Sequence, residues 1–284
     1  MSVPRILIIA GSDSGGGAGI QADIKTVTML GGHAMTAITA ITAQNTLGVT
    51  DVLPVPVEMV LAQIDAVTGD IGVDAVKIGM IGSVATSLAL ADRLARLGEG
   101  VPIVLDPVMV ASSGAALADE ATVAAFARLG GIATLITPNA PELATLTGLP
   151  VRDVAGAEAA ARALAARGGG GAVLAKGGHL EGDALVDLLV TPDGAAWRWS
   201  GERIATRHTH GTGCTLASAI ATGLGAGMPL PDAIARARLY VRAAILAAPG
   251  LGGGHGPMGH ALGLAPFEAM GGASQPAGPH QPGR

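Results

Sequence analysis

The sequence predicts an α/β protein, a three-layer α/β/α sandwich around a mostly parallel central sheet. Three observations carry that prediction. Segments of strand character alternate with segments of helical spacing from residue 5 to about residue 247. The strand segments are apolar on both faces, as strands covered by helices on each side must be. Nearly every one of them ends in polar or ionisable residues, and in an open α/β sheet that edge is where ligands bind.

Taken in order, residues 5–10 form a buried strand that runs into the turn Gly11-Ser12-Asp13-Ser14-Gly15-Gly16-Gly17-Ala18-Gly19. A helix is expected over 18–30 and a second strand over 35–42, followed by Gln44-Asn45-Thr46. Helical spacing over 57–68 precedes a short strand at 74–78, which leads into Gly79-Met80. A helix over 84–97 is followed by the apolar run 101–105, stopped by Asp106-Pro107-Val108-Met109. Helix 120–129 and strand 133–136 lead to Thr137-Pro138-Asn139-Ala140-Pro141-Glu142. Helices over 140–146 and 155–167 precede strand 172–175, which ends in Lys176-Gly177-Gly178-His179. Segments 184–190 and 195–199 flank Thr191-Pro192-Asp193-Gly194, a turn sequence, and form an antiparallel hairpin expected at a sheet edge. Helices over 212–226 and 231–247 close a single domain, residues 1–268. The Gly-, Pro-, Gln- and Ser-rich tail, residues 269–284, is expected to be disordered.

Composition narrows the function. Hydrophobic residues make up 49% of the 284-residue chain and aromatics only 2%, so Ala, Val, Leu and Ile must build the core. The net charge is −5 with Lys and Arg scattered, which excludes nucleic acid as the main partner. One cysteine, Cys214, excludes an intramolecular disulfide and fits a reducing, cytoplasmic setting. Stretches 26–50 and 209–231 lack Lys, Arg, Asp and Glu but are studded with polar residues, so neither reads as a membrane span.

The first Gly-rich loop is a poor match to the dinucleotide fingerprint G-x-G-x-x-G, and G-x-x-x-x-G-K-[ST] does not occur. The strongest local signal is His210-Gly211-Thr212-Gly213-Cys214-Thr215 opening an Ala-rich helix. Glycines at a helix start leave N–H groups free to face an anion, and the helix dipole adds to the field. That suits the charge on a phosphoryl group in transfer. A lone Cys is first a small buried apolar residue. At this position the same field is expected to lower the Cys214 pKa and make the thiol a proton acceptor. Asp106 and Glu142 lie just past strands, where each is a helix cap or a ligand that holds Mg²⁺ through water. Lys176 at a strand end reads as a phosphate contact.

These stretches resemble the hydroxymethylpyrimidine/phosphomethylpyrimidine kinases of thiamine biosynthesis, members of the ribokinase-like superfamily. The matching residues are Ala10-Gly11-Ser12-Asp13-Ser14, Gly19-Ile20-Gln21-Ala22-Asp23, Thr42-Ala43-Gln44-Asn45-Thr46, Lys77-Ile78-Gly79-Met80 and Asp106-Pro107-Val108-Met109. Thr137-Pro138-Asn139 with Glu142, Lys176-Gly177-Gly178-His179, His210-Gly211-Thr212-Gly213-Cys214-Thr215, and Gly256-Pro257 with His260 continue the series in order. The resemblance implies ATP-dependent phosphorylation of 4-amino-5-hydroxymethyl-2-methylpyrimidine to its monophosphate and then its diphosphate. It implies that Gln44 bonds the aminopyrimidine and that Gly11, Asp23, Met80 and Val108 line its pocket. It further implies that Asp106 and Glu142 serve Mg²⁺, and that Lys176, Thr212 and Gly213 hold the ATP phosphates. Gly211, Thr212, Gly213 and Cys214 form the anion hole, with Cys214 as base or as a group that positions the hydroxyl. A homodimer is common among such proteins and is expected here.

Two departures stand out. Ser112 replaces a Lys common in the family, and Gly15 stands where Ser is commoner. Two other readings are open: a pyridoxal or pyridoxine kinase, and a non-catalytic pyrimidine sensor, against which the cation-binding set Asp106, Glu142 and Lys176 speaks.

Overall fold

A computed structural model describes residues 2–97, 100–109, 120–167, 170–180 and 184–262. Ser112 and the tail lie outside the described residues. In chain order the elements are β1 (Arg5–Asp13), α1 (Gly19–Met29), β2 (His33–Asn45), β3 (Gly48–Pro54), α2 (Val57–Asp70), β4 (Ala75–Ile78) and α3 (Val84–Leu94). They continue with β5 (Ile103–Leu105), α4 (Glu120–Gly130), β6 (Leu135–Ile136), α5 (Ala140–Thr147), α6 (Val154–Ala165) and β7 (Ala172–Ala175). The chain closes with β8 (Ala184–Val190), β9 (Ala196–Glu202), α7 (Thr212–Gly225) and α8 (Leu230–Leu246).

The nine strands among the described residues join one sheet in the order β3-β2-β1-β4-β5-β6-β7-β8-β9. The six from β2 to β7 are mutually parallel, while β3 and β8 run antiparallel to them and β9 pairs antiparallel with β8 at the edge. Alternation along β1 shows why both faces are apolar. Leu7 and Ile9 join the core under α2 to α6, whereas Ile6, Ile8 and Ala10 join the core under α1, α7 and α8. Each face therefore has its own hydrophobic layer, and together they make the three-layer sandwich. The scarcity of aromatics is met by close approach: α7 is buried from Thr215 to Gly223, where all but Leu216 and Ile220 are Ala, Ser, Thr or Gly, side chains small enough to bring its backbone near the sheet.

The β7 segment and the late edge hairpin lie where the sequence puts them, and Thr191 N donates to Ala195 O at 3.0 Å to close the hairpin turn. Three corrections matter for the site. The strand β3 has no counterpart in the sequence reading: it ends in Pro54 and buries no face. Pairing with β3 also extends β2 to Asn45, so Gln44 sits on a strand, at an irregularity between Ala43 and Gln44, and not in a loop. Likewise β1 extends through the Gly-rich motif to Asp13, past a register shift between Ala10 and Ser12. No helix among the described residues is long and apolar enough to cross a membrane.

Candidate active site

The parallel strands β1, β4, β5, β6 and β7 all end at one edge, and the sequence-nominated residues gather there in two linked groups. The first lies at the N-terminus of α7. Gly211 is its N-cap with φ +85°, and a Cβ there would fall 1.9 Å from Gly17 O, so no other residue fits. No side chain caps this helix. Thr212 N–H turns back to Thr209 O at 3.3 Å. Among the described residues no protein acceptor engages the N–H of Gly213 or Cys214, so these two donors face the cleft.

Opposite them stand Asp106 and Lys176. A Cβ added to Gly213 would lie 3.3 Å from both Asp106 Oδ2 and Lys176 Nζ. Lys176 Nζ donates to Asp106 Oδ1 at 2.8 Å and lies 3.9 Å from Glu142 Oε2, and Thr137 Oγ1 donates to the same Asp106 oxygen at 3.2 Å. Burial pulls the Lys176 pKa down, but Asp106 and Glu142 outweigh it and raise the value, so the group is an ammonium. Glu142 is the helix cap the sequence offered. Its Oε2 accepts from Asn139 N at 2.8 Å while Asn139 Oδ1 accepts from Glu142 N at 2.9 Å, a capping box on α5. The same carboxyl also faces Lys176. Burial pushes its pKa up to about 7, against the pull of Lys176.

Cys214 requires a correction. Its thiol pKa is raised to about 11, where a value below the reference was expected from the helix terminus. Burial is the largest cause. Lys77 pulls the value down, and Asp23 and Asp106 push it back up. The thiol is therefore neutral at pH 7. The helix dipole is a partial charge, and desolvation of a thiolate beside two carboxylates exceeds it.

The second group surrounds Gln44. Its amide Nε2 lies 3.0 Å from His210 Nε2, and its Oε1 lies 3.3 Å from Thr42 Oγ1. His210 Nε2 is also 3.0 Å from Asp13 Oδ2. Asp13 is buried and accepts backbone N–H groups from Gly15 at 2.8 Å, Gly17 at 3.0 Å and Ala18 at 2.8 Å. Burial would raise its pKa, but His210 and these backbone donors together hold it below the usual carboxylate range. The N–H groups of the first Gly-rich loop thus turn inward onto Asp13 and are not a phosphate cradle. Gly11 and Met80 meet directly, since a Cβ on Gly11 would lie 2.2 Å from Met80 Cε. Val108 is half-buried beside Asp106, its N–H bonded to Asp106 O at 2.8 Å.

Asp23 lies elsewhere than on the pocket wall. It is fully buried, 2.7 Å from an equally buried Lys77, and accepts from Ser218 Oγ at 2.7 Å. Burial raises the Asp23 pKa against the pull of Lys77, while Asp23 helps hold the Lys77 pKa above its ordinary value. This pair lies behind the cleft and shapes its field. Asp13, His210 and Lys77 were visible in the motifs without a role. A residue pair 197 positions apart, Asp13 and His210, gives no spacing signal in one sequence.

Comparison with known proteins adds names. Residues 13–259 match the family described as phosphomethylpyrimidine kinase. The hydroxymethylpyrimidine/phosphomethylpyrimidine kinase of Streptomyces coelicolor is 50% identical over 263 residues, 92% of this chain and 96% of that protein. The thiamine biosynthesis bifunctional protein ThiED of Geobacter sulfurreducens is 51% identical over 259 residues, 90% of this chain. This chain spans about half of that relative's length, 52%. Among solved structures, the ADP complex of Bacillus subtilis pyridoxal kinase superposes with a TM-score of 0.82 at 34% identity, covering 91% of this chain and 98% of that one.

Proposed function

The chain belongs to the phosphomethylpyrimidine kinase family, and from that premise we propose that it phosphorylates hydroxymethylpyrimidine in thiamine biosynthesis, first to the monophosphate and then to the diphosphate, with ATP as donor. The observation that carries this reading is the opposition of the free Gly213 and Cys214 N–H groups to the Lys176 ammonium. Donors on one side and a cation on the other suit a phosphoryl group whose charge spreads over its equatorial oxygens. Gln44, in contact with His210, the residue before the anion hole, offers an amide to an aminopyrimidine edge. The substrate hydroxymethyl group then points at the N-terminus of α7.

Mg²⁺ fits the residues present. Among the described residues no group of three or more His, Cys, Asp and Glu forms a cage. Asp106 and Glu142 supply two carboxylates on either side of Lys176, which suits a small cation that keeps several waters and shares phosphate oxygens. When bound, the ion neutralises phosphate charge. Cys214, neutral at pH 7, positions the substrate hydroxyl and does not serve as its base; in a loose transition state little base catalysis is required.

The likeness to pyridoxal kinase keeps a vitamin B6 alcohol as the second reading. A second copy of the chain is the proposed cover for the apolar β2–β3 edge, where Leu47 is 78% and Leu53 65% exposed. The proposed compartment is the cytoplasm. The test is an ATP-dependent assay on the pyrimidine alcohol with products followed by mass. Mono- and then diphosphate are expected, and ATP consumption that does not rise with pyrimidine contradicts the reading.

A further inference from the structure

The Gln44 amide, His210 and Asp13 pose a hydrogen-counting problem with one solution. His210 Nε2 lies 3.0 Å from both Gln44 Nε2 and Asp13 Oδ2. Asp13, which accepts three backbone N–H groups, is a carboxylate and has no proton to give. Whatever His210 Nδ1 carries, its Nε2 must therefore carry a hydrogen and donate it to Asp13. An amide NH₂ facing that N–H sets donor against donor. Turned over about its last bond, the amide keeps its shape and removes that clash. Oε1 then lies 3.0 Å from His210 Nε2, whose one hydrogen it shares with Asp13, and Nε2 lies 3.3 Å from Thr42 Oγ1. Thr42 in turn gives its own hydrogen to Ser12 O at 2.8 Å.

We infer that Asp13 and His210 are positioning residues that lock the Gln44 amide in one sense, with its acceptor on the His210 side and its donor on the Thr42 side, and so select the ring edge of the substrate. The inference rests on the function proposed above. One lone pair on Oε1 and one hydrogen on Nε2 remain for a ligand, in fixed order. An aminopyrimidine presents an amine donor beside a ring-nitrogen acceptor and matches that order. The 4-oxo analogue presents a carbonyl beside a ring N–H, the reverse order. Its ring cannot be turned over to compensate, because the hydroxymethyl group must still meet the α7 terminus. An amide free to rotate would accept both compounds; a locked one leaves two polar groups unpaired with the wrong compound.

The test measures, on the full chain, Kd by calorimetry and kcat/KM with ATP for the 4-amino alcohol and its 4-oxo analogue. The parent is expected to favour the amino compound by about 100-fold or more. His210→Phe cuts that preference at least about tenfold, mainly through KM, while His210→Gln, which can still donate to Asp13, keeps it. Thr42→Val, at the other end of the amide, also cuts the preference and carries the test if His210→Phe does not fold. Equal losses on both compounds with the preference intact overturn the inference, as does a parent that binds both alike or neither. A parent that binds the amino compound in preference but does not phosphorylate it overturns the function and leaves the locked amide standing.

Discussion

At the scale of single residues, burial decides the chemistry more than position in a motif. Cys214 sits where a helix terminus should favour a thiolate, yet its pKa is about 11. Cys214→Ala is therefore expected to keep a pH–rate profile parallel to the parent from about pH 6 to 9. Alkylation of the parent by iodoacetamide at neutral pH should be at least about 100-fold slower than that of a free thiol. A limb of the profile lost in the variant would restore the thiol as base. Glu142 has the opposite consequence for stability. Its pKa rises from 4.5 to about 7 on folding, so between those values the native state holds a proton that the unfolded chain releases. Stability therefore falls as pH rises through that window, by an amount of order 3 kcal/mol once the group is ionised. Glu142→Gln removes the effect, so its advantage in Tm over the parent should be present at pH 8 and vanish near pH 4.5. A pH-independent difference would contradict the burial argument.

At the scale of elements, the start of α7 is held by contacts that distinguish its glycines. Gly211→Ala meets both a positive φ and Gly17 O, so it is expected to lower Tm by more than about 5 °C and to lower activity with it. Gly213→Ala puts its methyl 3.3 Å from Asp106 and Lys176, a tight contact that a small shift of those side-chain ends relieves, and the methyl fills the space proposed for the transferring group. That variant should fold with Tm within about 2 °C of the parent and lose about 100-fold or more in kcat. Comparable Tm losses in both variants would mean the cleft reading of Gly213 is wrong.

The same scale shows what could be read in advance. β7 was legible to the residue because it is a buried apolar run bounded by Gly171 and Lys176. β3 was not, because an exposed antiparallel edge buries no face and so leaves no apolar periodicity. The position of Gln44 on a strand followed from that omission. The polar residues closing the parallel strands named Asp106, Glu142 and Lys176, since a charge at the end of a buried strand needs a reason. Asp13 with His210, the depth of Asp23 and the setting of the half-buried Cys214 depend on how the Gly-rich loop folds against the α7 start. No single local pattern encodes that packing.

At the scale of the whole molecule, the sheet collects the proposed phosphoryl site and the proposed ring-binding site at the same edge, and His210-Gly211 joins them. The fold alone does not choose between alcohols, since the superposition on a pyridoxal kinase is good. The choice lies in the Gln44 end of the cleft. The deciding measurement is kcat/KM for ATP-dependent phosphorylation of 4-amino-5-hydroxymethyl-2-methylpyrimidine and of pyridoxine, run side by side with products identified by mass. A higher value for the pyrimidine, with diphosphate accumulating after monophosphate, is the expected result. A higher value for pyridoxine, with no pyrimidine diphosphate formed, would contradict it.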